Sequence, residues 1–261
     1  MSGGLFGTTS RFLHRFGPLR AVAKRALRGV TLEQRFHGGR ISLDAVDHAW
    51  AWTGRLRYET FDVELQDALL ALARGRTTML DIGCNVGAMT LSVLLREPNI
   101  SARSFDANPR AVALLRRSLA RNRLSDRASV TWAAVALRDG ELRFESNGSV
   151  IGHVSESGRP TPAVAFAPLV REAAAAGPCL VKVDVEGFET SLIPELANAG
   201  PLANVCLVVE LHPSGYNGVG APRRNLEALR ATGAEVSTID GQPVTTISEN
   251  DFTNVVARWR A

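Results

Sequence analysis

The chain is poor in cysteine. Its three, Cys84, Cys179 and Cys206, have no paired spacing, which excludes a disulfide framework and a thiolate metal site. A reducing cytoplasm is the setting this predicts. No apolar run approaches the ~18 residues of a membrane span, and the opening Met-Ser-Gly-Gly-Leu-Phe-Gly lacks the charged-then-apolar order of a secretory signal. Internal repeats are also missing. So are interleaved aromatic and basic residues of the kind that stack on and neutralise single strands, so nucleic acid is not an expected partner. What is present, 45% apolar and 21% charged residues in a chain of 261, suits one large core or one domain with an appendage.

Charge is unevenly placed. Residues 1–40 hold eight Lys and Arg against one acid, a net of +7, while the whole chain carries only +4. Pro18 to Arg28 reads as a short helix with proline at its first position and Gly29 after its end, and with Arg20, Lys24 and Arg28 on one face. Two readings follow: peripheral contact with an anionic membrane surface at its inner face or with an acidic partner, or a solvated face on a helix packed against the domain. We place the basic arm and lead-in at 1–54 and the main domain at 55–261.

The main domain opens with an amphipathic helix from Phe61 to Ala73 and a strand, Thr78–Ile82, that runs into Asp81-Ile-Gly-Cys-Asn-Val-Gly87. An apolar strand ending in an acid and turning through two glycines into a helix is how an α/β protein opens a pocket for a nucleotide-like ligand. Glycine there lets backbone approach the ligand. The dinucleotide fingerprint G-x-G-x-x-G is not met, because the loop reads G-x-N-x-G. Its spacing resembles motif I of class I S-adenosylmethionine-dependent methyltransferases, in which the acid and loop hold the methionine end of the cofactor.

A second strand, Ser101–Asp106, ends in an acid 25 residues after Asp81. Consecutive parallel strands of a doubly wound sheet bring their carboxyl ends together, so Asp106 is placed to accept both ribose hydroxyls. The other reading of Asp106 is a cap for the helix that follows, Arg110 to Arg121. Val130 to Ala134 reads as a third strand, with Trp132 or its neighbours bordering the adenine or else in the core. Leu180 to Glu189 and Cys206 to Pro213 repeat the pattern of an apolar run ending in charge, which suits strands covered on both faces.

Four blocks in order resemble the FkbM-type methyltransferases: Asp81–Gly87, Phe105-Asp-Ala-Asn-Pro109, Val181-Lys-Val-Asp-Val-Glu-Gly-Phe-Glu189 and Val208-Val-Glu-Leu-His212. The block around Lys182–Gly187 is the most specific. One departure is Asp106-Ala107, where the family more often has Glu-Pro. The resemblance covers about residues 55 to 240 and implies S-adenosylmethionine as cofactor and O-methylation of a hydroxyl on a sugar, glycan or polyketide-like metabolite. It also implies a mostly parallel seven-stranded sheet with helices on both faces, closed by a C-terminal antiparallel hairpin from 234–239 and 254–259. Expected cofactor contacts are Asp81, Gly83, Asn85, Val86, Gly87, Asp106, Ala107 and Ala133. Glu59 joins them, since a glutamate in this lead-in often faces the cofactor in that family.

Removing a proton from an alcohol needs a base, and a carboxylate among acids and apolar walls is improved for that work. We assign catalysis to Asp184 and Glu186 on one strand end and Glu210 and His212 on the next, with Lys182 orienting them. The same groups, Asp184, Glu210 and His212, offer a site for a divalent cation such as Mg2+. Residues 141–167, rich in turn signals and including His153, are expected to form a hairpin over the acceptor. Two rival functions use the same fold, a non-catalytic binding module and a nicotinamide-dependent dehydrogenase. The acidic rim disfavours the first and Asn85 the second. Oligomeric state is not legible.

Overall fold

The computed structural model describes residues 25–27, 29–53, 57–147, 151–154 and 157–260. Of the basic segment Pro18–Arg28, only residues 25–27 are described, and they are helical; the rest of that expectation lies outside the described residues. No described helix is long and apolar enough to cross a membrane.

The chain begins with an antiparallel hairpin, β1 (Thr31–Phe36) and β2 (Gly39–Asp44). After the short helices Ala49–Thr53 and Tyr58–Thr60 comes the helix Val63–Ala73, then β3 (Thr78–Ile82), the helix Ala88–Leu94 and β4 (Ser101–Asp106). The helix Pro109–Arg121 and β5 (Ala128–Trp132) complete one half of the main sheet. A second sheet follows, made of β6 (Ala134–Ala136), β7 (Gly140–Asn147), β8 (Ile151–Val154) and β9 (Arg159–Ala165) in the order β6-β9-β7-β8. The hairpin expected in 141–167 is the β7–β8 pair of this sheet. The chain returns through the helix Phe166–Ala176 to β10 (Cys179–Val183), the short helix Glu189–Leu192 and β11 (Val205–Leu211), and then through the helix Ala221–Ala231 to β12 (Glu235–Thr238) and β13 (Thr253–Arg258).

The main sheet has the order β12-β13-β11-β10-β3-β4-β5. Strands β3, β4, β5, β10 and β11 are parallel, and β13 runs against β11 and β12. The doubly wound, mostly parallel seven-stranded sheet with its C-terminal antiparallel pair is therefore as expected, with β13 threaded between β11 and β12. The strand order reverses between β3 and β10, and a crevice opens at the carboxyl ends of the strands at such a point.

The period of two in each strand divides the molecule into two cores. Met79, Leu180, Cys206 and Val208 point to one face, where they meet Leu65 and Leu69, Leu91, and Val112, Leu115 and Leu119 from the helices, together with Phe36, Ile41 and Leu43 of the hairpin. Leu80, Ile82, Val181, Val183, Leu207 and Val209 point to the other, against Phe166, Val170, Leu192, Leu226 and Leu229. The hairpin thus shares the core of the main sheet. Local signals match this arrangement. The helix Pro109–Arg121 starts at Asn108, whose side chain accepts from Arg110 N at 3.0 Å, and it carries proline at its first position. All three cysteines are buried and free.

Candidate active site

Parallel register sets the site. Lys182 of β10 lies beside Asp81 of β3, and Asp81 lies beside Ser104 of β4. Asp81 is completely enclosed. Its Oδ2 accepts from Thr90 Oγ1 at 2.6 Å, that hydroxyl lies 2.9 Å from Ser104 Oγ, and Oδ1 is 3.6 Å from Lys182 Nζ. Asp81, expected as a cofactor contact, stands behind the rim and reaches Lys182 and Thr90. Val86 and Ala133, also expected as contacts, are buried.

The two loop glycines answer to the fold. Gly83 has φ +76°, and a Cβ built on it would fall 1.7 Å from the Asp184 carbonyl oxygen. Gly87 has φ +85°, and its Cβ would fall 2.1 Å from the Leu115 side chain. Each glycine therefore lets two elements pack closely, the turn after β3 against the end of β10 and the start of the next helix against the helix Pro109–Arg121. Between the glycines, Asn85 adopts φ +48° and donates its backbone N–H to Asp106 Oδ2 at 2.7 Å. Asn108 N–H donates to the other oxygen at 2.7 Å. Asp106 is thus gripped by the turns after both strands, with lone pairs left over. Burial pushes its carboxyl up to about 6, against the lowering effect of those two N–H groups. Ala107 follows, its carbonyl held by Trp132 Nε1 at 2.9 Å. Beside this turn a cleft of about 460 Å³ opens between Ala107–Arg110 and the strands β7 and β9.

Lys182 is almost fully buried, with Nζ 3.1 Å from Asp184 Oδ2 and 3.3 Å from the Gly83 carbonyl. Burial opposes its charge, but Asp184 and Asp81 outweigh that and hold it as an ammonium, its pKa raised above the ordinary value. Next along the rim is His212, 1% exposed. Its Nε2 lies 3.5 Å from Glu186 Oε2, 3.5 Å from Glu210 Oε2 and 3.9 Å from Asp184 Oδ1. Burial works against charging this ring too. Glu186, Glu189 and Asp184 together overcome it and push the imidazole up to about 10. Glu210 is pushed up to about 7, first by burial and then by the charge of Asp184, offset by His212 and Lys182. Exposed Tyr216 and Phe252 pack on the His212 ring with centroids at 4.9 and 5.3 Å.

All four expected catalytic residues, Lys182, Asp184, Glu186 and His212, come together with Glu210. Glu186 reaches His212 from a left-handed conformation, φ +50°, which is costly for a residue with a side chain. Glu59 is placed elsewhere: its Oε1 accepts from His37 N at 2.5 Å. His37, at φ +46° in the β1–β2 turn, presents an N–H that the turn itself does not use, and Glu59 takes it. Two residues were given no role by the sequence. Asp62, at φ +50° before the helix Val63–Ala73, lies in the fields of Lys182 and Asp184. A short acidic residue ahead of an apolar-periodic helix is the signal that finds it. Glu189 was quoted only as the end of a motif, although it is buried against His212.

The family model described as methyltransferase small domain matches residues 64–145. No curated protein matches the chain by sequence. Among solved structures the chain is similar to Pyrococcus horikoshii TYW2 in complex with MeSAdo, at 11% identity and TM-score 0.50, covering 97% of this chain and 84% of that one. It is also similar to the SAH-bound Podospora anserina methyltransferase PaMTH1, at 12% identity and TM-score 0.49, covering 100% and 99%. A third is the Bacillus cereus O-methyltransferase in complex with SAH, at 11% identity and TM-score 0.49, covering 80% and 86%. The fold is that of the class I methyltransferases, and the family match supports a methyltransferase.

Proposed function

We propose that the chain is an S-adenosylmethionine-dependent O-methyltransferase of the FkbM type, acting on a hydroxyl of a sugar, glycan or polyketide-like metabolite. The observation that carries this reading is the acid delivered by each of four neighbouring parallel strands, Asp81, Asp106, Asp184 and Glu210, on either side of the point where strand order reverses. A sulfonium donor that also carries a ribose suits such an edge. In this reading Asp106 takes the ribose, Ala107 the adenine, and the Gly83–Gly87 loop with Lys182 the methionine end.

Chemically, the acceptor oxygen attacks the methyl carbon in line and the carbon–sulfur bond breaks, its electron pair staying on sulfur. Alignment supplies much of the rate, with effective molarities on the order of 10⁵ M. The hydroxyl proton needs an acceptor near neutral pH. His212, held as an imidazolium, is unsuited to take it, so the work falls to Glu210, with Asp184 and Glu186 fixing the charged ring and Lys182 fixing Asp184. Replacing Glu210 with Gln is expected to lower turnover by about 10²–10⁴-fold and to leave SAH affinity unchanged. The assay is SAH formation over a panel of hydroxylated acceptors that includes an RNA; unchanged turnover in the variant would exclude Glu210 as the base.

Cofactor affinity carries its own pH signature. The ligand hydroxyls favour the ionised Asp106, whose free-state value is raised to about 6. Binding then releases a proton below that value, and affinity weakens as pH falls through about 6. Calorimetry with SAH between pH 5 and 8 checks this, and a flat profile would put the ribose elsewhere.

A second reading rests on Asp184, Glu210 and His212, each of which offers a ligand atom within 4.8 Å of the others. Two carboxylate oxygens and one imidazole nitrogen would fit a divalent cation such as Mg2+ or Mn2+ only after His212 gives up its ring proton, and the cation would then polarise acceptor hydroxyls. Lys182 competes by supplying a positive charge to the same Asp184. Turnover after EDTA treatment decides between them. Loss restored by Mg2+ or Mn2+ supports the cation, and full retention removes it.

A further inference from the structure

Glu189 opens the short helix after the Val185–Phe188 turn, and its side chain is 1% exposed. A buried carboxylate costs stability unless it is paired. One oxygen, Oε1, makes both contacts the residue has with His212: it accepts the His212 backbone N–H at 3.0 Å and lies 3.3 Å from ring Nδ1. Nδ1 is enclosed and has no properly aligned hydrogen-bond partner, so Glu189 is the charge that it faces. The opposite nitrogen, Nε2, is the one turned toward Asp184, Glu186 and Glu210. Tyr216 and Phe252 close on the ring plane from outside.

We infer that Glu189 is a positioning residue: one buried oxygen accepts the His212 backbone N–H and presents its charge to Nδ1, which sets the ring so that Nε2 faces the three rim carboxylates. Without that anchor the ring is free to turn about its last side-chain bond, and a half-turn exchanges Nε2 with the Cε1 position. The inference rests on reading this rim as the active site. It adds a residue that touches neither cofactor nor acceptor and acts only through His212.

The test is NMR of the full chain carrying isotope-labelled histidine, with His212 signals identified by their loss in His212→Ala. In the parent, the ring protons of His212 are expected to be shifted by the neighbouring Tyr216 and Phe252 rings. Glu189→Met fills the same length without an acceptor and should change those shifts as the ring protons exchange places, whereas Glu189→Gln, which keeps an oxygen for the N–H, should keep them near the parent's. A residue that merely fills space would give parent-like His212 signals in Glu189→Met, and that result overturns the inference. If Glu189→Met does not fold, Glu189→Asp serves, since its shorter arm withdraws the carboxylate from the ring; parent-like signals there overturn the inference equally. SAH titration runs beside the spectra. If the parent fails to bind SAH, the methyltransferase reading fails, and the His212 comparison still stands or falls by itself.

Discussion

Replacing Lys182 with methionine is expected to lower the unfolding free energy by about 3–5 kcal/mol, the range for removing one partner from a buried ion pair. Nζ lies between Asp81, which is completely enclosed, and Asp184, at 3.6 and 3.1 Å. Methionine matches the length of the stem but leaves Asp81 with an Oδ1 that has no hydrogen-bond partner and no nearby charge. Most of the loss is therefore the cost of an uncompensated buried carboxylate. Adding Asp81→Asn in the same chain should recover part of it, and the coupling appears in a double-mutant cycle by urea denaturation. A loss under about 1 kcal/mol, a value ordinary for exposed pairs, would show that the ammonium does not hold this rim together. Lys182 is also conspicuous in composition, because Lys24 and Lys182 are the only lysines among 30 Lys and Arg. Arginine, with its planar fork, is a poor substitute for a compact ammonium among three oxygens.

Gly83→Ala is expected to be as severe for a different reason. Two costs combine: a left-handed φ, about 1–2 kcal/mol for a residue with a Cβ, and a collision with backbone at 1.7 Å, from which the Asp184 carbonyl cannot retreat without opening β3 from β10. Gly75 isolates the first cost. It has nearly the same φ, +74°, and nothing within 4 Å of its would-be Cβ, so Gly75→Ala should lose only the conformational part. Thermal or denaturant unfolding of the pair should then differ by more than about 3 kcal/mol, with Gly83→Ala failing to fold or losing SAH binding. Equal losses would mean that the two strand ends do not approach as closely as described.

Gly83 and Gly87 also mark where sequence reasoning stops. The turn Asp81–Gly87 was legible because an apolar strand, an acid and two glycines fall in order, and β3 and β4 have the expected limits. Why the glycines are needed was not legible. Their neighbours, Asp184 and Leu115, are distant in sequence, and only the strand register brings Asp184 against Gly83. Burial is hidden in the same way. Nothing in Asp81 distinguishes an enclosed acid from one facing a ligand, and nothing in Glu189 announces that its carboxylate lies under His212. The sheet of β6 to β9 was read as a hairpin because its outer pair is local. The β6–β9 contact joins residues nearly thirty apart in parallel, which no turn signal reports. β1 escaped notice since only Phe36 of its six residues is buried, so its pattern does not alternate. The gathering of charge at the rim was legible because continuous apolar runs place their polar ends on one edge of a parallel sheet, whatever the details of the turns.

We propose that the carboxyl edge of β3, β4, β10 and β11 binds a sulfonium cofactor through its ribose at Asp106. Isothermal titration of the purified chain with SAH, run beside NAD and repeated on Asp106→Ala, tests it most directly. The predicted result is saturable binding of one SAH per chain, no binding of NAD, and a loss of about 100-fold or more in the variant, the value of two hydrogen bonds to a charged group. Binding of NAD without SAH, or SAH bound equally by parent and variant, would contradict it.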